Sequence, residues 1–286
     1  MTKARAGDAW EYRVAAVAVE LGLDRPQVTT LAGGLLNRTL RLKDAHQDLV
    51  LRLAGAGAES LGVDRHAERA MLQLAAGAGL APQLVLSRPA ESLLVTRHVA
   101  GRVLARDAAR EPAMLVRIGA WLARLHALEP PAGIAPIDIA ARAAAYLRVL
   151  HARDSTTLLR DLETRLARLR EELPPPRRLA ACHHDLHHFN LVDTGAALVA
   201  LDWEYAGPGD PVADLAACIC YQDLDRRQTE ILLGGYGDAS GRLTARLEPL
   251  IWVFDCLCYG WMEIAAMQGL AADPDRRRWL VERLLA

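Results

Sequence analysis

The stretch CHHDLHHFNLVDTGAALVALD, residues 182–202, constrains this chain more than any other. Two apolar runs, NLV and LVALD, flank DTGA, and that sequence between apolar runs is a turn signal. The segment is predicted to fold back as a hairpin about residues 194–197, with Asn190 opposite Asp202 at its open end. An amide oxygen and a carboxylate would then face one space. Such a hard-oxygen pair suits Mg²⁺, which takes one or two protein oxygens and completes its shell with phosphate and water. Asp185, five residues before Asn190, lies on the loop that feeds the first run. It can reach the same space without being a ligand, as a base that orients a hydroxyl must.

The four histidines of this stretch, His183, His184, His187 and His188, invite a zinc reading. Adjacent histidines in an extended loop point opposite ways, and the spacings are neither a helical i, i+4 pair nor a strand H-x-H. A His-Asp phosphohydrolase would need further partners in an all-helical domain, whereas this HD is followed by a hairpin. A non-catalytic nucleotide-binding protein is the other competing class, and the presence of Asp185, Asn190 and Asp202 weighs against it.

The rest of the chain divides by pattern. Residues 8–22 read as an amphipathic helix, RTLRL and LVLRL as two strands joined by a polar turn, and residues 63–80 as a helix. PQLVLS and SLLVTRHV are two more strands. The first hundred residues thus read as a mostly antiparallel sheet with one inserted helix. Residues 111–128 and 138–172 read as helices, the latter pair stopped by the prolines at 174–176, and helices follow from 211 to the end. The expected division is 1–97 and 98–286.

The chain has 286 residues and a formal charge of −1, so no basic excess points to nucleic acid or an anionic membrane. The apolar stretch from residue 250 to 272 contains Asp255 and Glu263 and is expected to be a buried helix rather than a membrane span. The polar start shows no signal peptide, and five cysteines are expected to be reduced thiols of a cytoplasmic protein.

HHDLHHFN followed by ALDWEYAG resembles the catalytic segment of the aminoglycoside phosphotransferase/choline kinase superfamily, whose usual form is H-x-D-x-x-x-x-N and then an apolar strand ending in Asp. The tail LDWEYAGPGDPVADLAA is similar to bacterial choline and thiamine kinases. The resemblance implies an α+β, bilobal, protein-kinase-like fold, with a nucleotide-binding β lobe and a larger helical lobe. It implies ATP and Mg²⁺, with the γ-phosphate transferred to the hydroxyl of a small-molecule alcohol. A cationic one such as choline, ethanolamine or thiamine is expected, with an aminoglycoside or sugar as the alternative. In it Asp185 is the catalytic base, and Asn190 and Asp202 hold the metal. AGGLLNRTLRL takes the place of the loop over the nucleotide, with Gly33, Gly34 and Asn37. Arg52 takes the phosphate-binding place usually held by Lys, with Glu68 as its partner, and SLLVTRHVAG resembles the adenine hinge, with Thr96 and His98. Trp203, Glu204, Tyr205 and Trp261 are the acceptor candidates, because a cationic alcohol suits aromatic faces and carboxylates. His183 would hold the loop. Asp210 reads as helix N-cap and loop support before Pro211, with Asp214 as a further support. His184 stands where the relatives often have a small residue. The oligomeric state is left open by the sequence.

Overall fold

The computed structural model describes residues 8–31, 37–55, 61–238, 243–270 and 273–286. It begins with α1 (Asp8–Glu20), β1 (Gln27–Thr30), β2 (Asn37–Lys43), β3 (Asp48–Ala54), α2 (Arg65–Gly77), β4 (Leu84–Arg88) and β5 (Leu93–Arg97). The strands form one antiparallel sheet in the order β1-β2-β3-β5-β4. The side-chain period of two assigns its faces. Leu40, Leu42, Leu49, Leu51, Leu53, Leu93 and Val95 are buried under α1, against Val14, Val17 and Ala18. The opposite face carries Thr39, Val50, Arg52, Leu94 and Thr96, paired across the strands and lining a cavity. Arg52 thus sits within an apolar strand yet faces the cavity. β1 was not legible in the sequence: it is an edge strand whose four residues are all exposed, so no apolar alternation marks it.

The second part is mostly helical: β6 (Arg102–Val103), α3 (Arg106–Arg110), α4 (Pro112–His126), α5 (Ile139–Arg153), α6 (Thr157–Glu172), β7 (Ala180–Cys182), β8 (Leu191–Asp193), β9 (Leu198–Ala200), β10 (Gly207–Gly209), α7 (Pro211–Gln222), α8 (Arg226–Tyr236), α9 (Thr244–Met267) and α10 (Pro274–Leu285). The fold is α+β and protein-kinase-like, as expected. The buried face of α2, with Met71, Leu72, Ala75 and Ala76, belongs to the large core of this helical part rather than to the core under α1. By length and composition, Ala245–Met267 could cross a membrane. Here α9 packs against α5, α7 and α10 with Val253, Phe254 and Cys256 buried, which makes it a core helix of this fold. All five cysteines are free thiols.

The hairpin forms, but its register differs from expectation by one residue. Leu191 pairs with Ala200 and Asp193 with Leu198, and the Leu201 N–H bonds to the Asn190 carbonyl at 2.7 Å. Asn190 therefore stands opposite Leu201, not Asp202. The reason is a two-residue turn: Thr194 N–H bonds to Ala197 O at 3.0 Å around Gly195, whose φ of 85° suits the first central position of a type II′ turn.

Helix α4 brings Trp121 against His183 and His126 against Asp214, and packs on α8 through glycine. A Cβ at Gly119 would collide with the Leu232 carbonyl and lie 2.6 Å from Tyr236 N, all backbone that cannot yield. Gly119→Ala should lower stability by about 1–3 kcal/mol, read as a lower urea midpoint at unchanged m-value.

Candidate active site

The loop of residues 183–190 is held from behind by α7. Asp214, completely buried, accepts the backbone N–H of His183 at 2.7 Å and of His184 at 2.6 Å. Its Oδ2 also meets His126 Nε2 at 3.2 Å, and Tyr236 Oη lies 3.0 Å from His126 Nδ1. Burial opposes ionisation, but the hydrogen bond from His126 and the nearby imidazoles hold this carboxyl well below the usual carboxylate range. The side-chain bonds of Asp210 go elsewhere: it accepts Val212 N–H as the α7 N-cap and pairs with Arg246. Loop support thus falls to Asp214.

His183 is buried, and its imidazole links the loop to the end of β9. Nε2 donates to Leu201 O at 2.9 Å, and Nδ1 accepts the Asp185 N–H at 3.3 Å. Burial lowers its pKa to about 4, so the ring is neutral in this role. His184 is buried with φ of 62°, and its ring fills the space where Gly209 lacks a Cβ. Any side chain at 209 would strike it, which explains how this loop admits a histidine there. Among the described residues the loop histidines form no metal-holding cluster; His126, Cys182 and Asp214 lie close enough for one, but Asp214 is already committed to the loop.

Asp185 lies in the cavity, which has a volume of about 1130 Å³ and is shared between the β5 hinge and the helical part. Its Oδ1 accepts the Tyr221 hydroxyl at 2.6 Å, and its Oδ2 accepts Asn190 Nδ2 at 3.2 Å. Burial, with Glu204 nearby, pushes Asp185 up to about 7, against the pull of the Tyr221 bond. Asn190 spends its amide nitrogen on Asp185, which leaves its side-chain oxygen for a cation.

Asp202 reaches this space despite the register shift because its backbone is left-handed, with φ of 57°. Arg52 donates to Asp202 Oδ1 at 2.7 Å and pairs with Glu68. Arg65, one turn before Glu68 on α2, bonds to Glu68 at 2.9 Å and Glu204 at 3.0 Å, and Asn37 donates to Glu204 at 2.9 Å. Arg65 was missed in the sequence; its i, i+3 spacing to Glu68 was the available signal. The structure therefore brings Asn37, Arg52, Glu68, Asp185, Asn190, Asp202 and Glu204 together. Thr96 of β5 and His98, just past its end, line the same cavity. Gly33 and Gly34 lie outside the described residues.

Two guanidiniums face four carboxylates here, and the Asp202 carboxyl is raised by burial and by Glu204, with Arg52 opposing. A divalent cation fits this donor set, because it would give a counter-charge to carboxylates that burial, and after it the neighbouring Glu204, holds up.

At the far end, Tyr205 and Trp261 line the cavity and are joined by a bond from Trp261 Nε1 to Tyr205 Oη at 2.9 Å. Trp203 is buried, donates its indole N–H to Ala200 O, and packs on His183 at 4.7 Å, so most of the ring serves the loop. Glu204 is turned toward Arg65 and Asn37. Two acids of α9 are paired with arginines of α10: Asp255 with Arg283 at 2.8 Å and Glu263 with Arg277. Trp252 and Tyr259 are core residues.

Comparison with known proteins shows the family of this chain. The family described as "Phosphotransferase enzyme family" matches residues 27–250. Thiamine kinase of Salmonella paratyphi B is 44% identical over 73 residues, which are 26% of this chain and 25% of that protein; the match thus spans about a quarter of the curated relative. A choline/ethanolamine kinase family protein from Mesorhizobium loti superposes with a TM-score of 0.80 at 26% identity, over 96% of this chain and 92% of that one. Choline kinase from Streptococcus pneumoniae gives 0.81 at 18% identity, over 97% and 99%. A spectinomycin phosphotransferase, solved with ADP and spectinomycin, gives 0.66 at 11% identity, over 96% and 97%.

Asp214→Ala should cost roughly 3–5 kcal/mol, because it strands buried donors. A depressed carboxyl contributes stability that is present above its unfolded pKa and lost as pH falls. The wild-type melting temperature should therefore drop steeply below about pH 4, and Asp214→Asn should lose part of that slope.

Proposed function

Because the chain belongs to the phosphotransferase enzyme family, we propose that it is an ATP- and Mg²⁺-dependent kinase that phosphorylates the hydroxyl of a small cationic alcohol of the choline, ethanolamine or thiamine type. The observation that carries this reading is the convergence of Asp185, Asn190 and Asp202 on one cavity beside Arg52. On this reading residues 1–97 form the nucleotide lobe and residues 98–286 the catalytic and acceptor lobe. A cytoplasmic setting suits five free thiols.

Asn37, Arg52, Thr96 and His98 would hold the nucleotide, with Glu68 and Arg65 orienting Arg52. Asn190 and Asp202 would hold Mg²⁺, whose contribution is to neutralise phosphate charge. Asp185 accepts a hydrogen bond from the acceptor hydroxyl and takes its proton late in the transfer. Because the transition state is loose, positioning and charge neutralisation carry most of the work.

The acceptor assignment is supported by the aromatic wall of Tyr205, Tyr221, Phe254 and Trp261, which suits a cation or a heteroaromatic ring, and by the partial likeness to thiamine kinase. An aminoglycoside would call for an acidic patch, and Asp255 and Glu263 are already paired.

The expected outcomes are distinct for the two aspartates. Asp185→Ala should lower the rate of transfer by about 10²–10⁴-fold while a Mg·ATP thermal shift persists. Asp202→Ala should weaken both, and EDTA should abolish the wild-type shift. ADP release measured over choline, ethanolamine, thiamine and aminoglycosides identifies the acceptor. An Asp185→Ala variant that keeps full transfer activity would reject the assignment.

A further inference from the structure

Helix α7 touches the catalytic loop at two points. Asp214, near its start, holds the loop backbone; Tyr221, seven residues and two helical turns later, lies on the same face and holds the loop's carboxylate. The Tyr221 hydroxyl donates to Asp185 Oδ1 at 2.6 Å, while Asn190 Nδ2 holds Oδ2 from the other side. Two donors on different elements fix both the position and the rotation of the carboxylate. The phenol is itself clamped edge-on by Phe254, with ring centroids 5.1 Å apart, and by His187 at 5.3 Å. It lines the cavity, so it stands beside the place where an acceptor hydroxyl must reach Asp185.

Resting on the kinase reading above, we propose that Tyr221 is a positioning residue for phosphoryl transfer, which locks Asp185 in the rotation that aligns the acceptor hydroxyl. A phenol has one proton. Tyr221 spends it on Asp185, and its oxygen also meets the Cys258 thiol, so the phenol has no second proton to give the acceptor. During transfer the acceptor oxygen forms its bond to phosphorus, the bond from phosphorus to the ADP oxygen breaks, and the acceptor proton passes to Asp185. Tyr221 keeps its own proton throughout. Without it, Asp185 retains one tether and rotates about Cβ–Cγ, and small angular errors in such a base are expensive in rate.

The test is Tyr221→Phe, which keeps the ring packing and deletes only the donor. With thiamine, choline or ethanolamine as acceptor, kcat should fall about tenfold to a hundredfold, while KM for Mg·ATP stays within about twofold and the melting temperature is unchanged. If the wild type uses none of the three, ADP release to water carries the same comparison, since water then takes the acceptor's place. A second protein with 3-fluorotyrosine at position 221 keeps the donor and should keep a near-wild-type kcat. An unchanged kcat in Tyr221→Phe overturns the proposal. So does a parallel loss of kcat, nucleotide affinity and melting temperature, which would assign Tyr221 to packing alone. A wild type that neither binds nor consumes Mg·ATP overturns the kinase reading and this role with it.

Discussion

The buried carboxylate of Asp214 is the interaction on which the candidate active site depends. A loop that crosses a protein interior must satisfy its own backbone donors. The His183 and His184 N–H groups have no strand to pair with, because β7 ends at Cys182, and His184 is left-handed. Asp214 supplies both acceptors from a rigid helix, and its charge is in turn stabilised by His126 on α4. The loop, α4 and α7 are therefore tied through one side chain. Everything presented to the cavity from residues 183 to 190 inherits its position from that tie.

The charge network around Arg52 obeys a different logic. Arg52 is nearly buried, and a buried cation needs partners. It draws them from α2, in Glu68, and from the strand-end residue Asp202. Arg65 and Asn37 then bind Glu204. Two of these ion pairs, Arg52–Asp202 and Arg65–Glu204, join segments more than a hundred residues apart, and the site carries more carboxylates than guanidiniums. That surplus is what makes it suitable for a divalent ion.

The sequence by itself determined the local facts. The hairpin, the order Asp185, Asn190, Asp202, the strand carrying Arg52 and the helix carrying Glu68 were legible, because turn chemistry, strand alternation and helix spacing act over a few residues. The one-residue register error at Asn190 marks the limit: Gly195 sets a two-residue turn that a midpoint argument cannot resolve. Only the tertiary structure decided the rest. The left-handed backbone at Asp202 restores its aim, Asp214 rather than Asp210 supports the loop, Tyr221 reaches Asp185, and Trp203 faces His183. Each of these results depends on long-range packing or on a backbone conformation that packing imposes, and no local pattern in the chain encodes which distant partner a buried polar group will find.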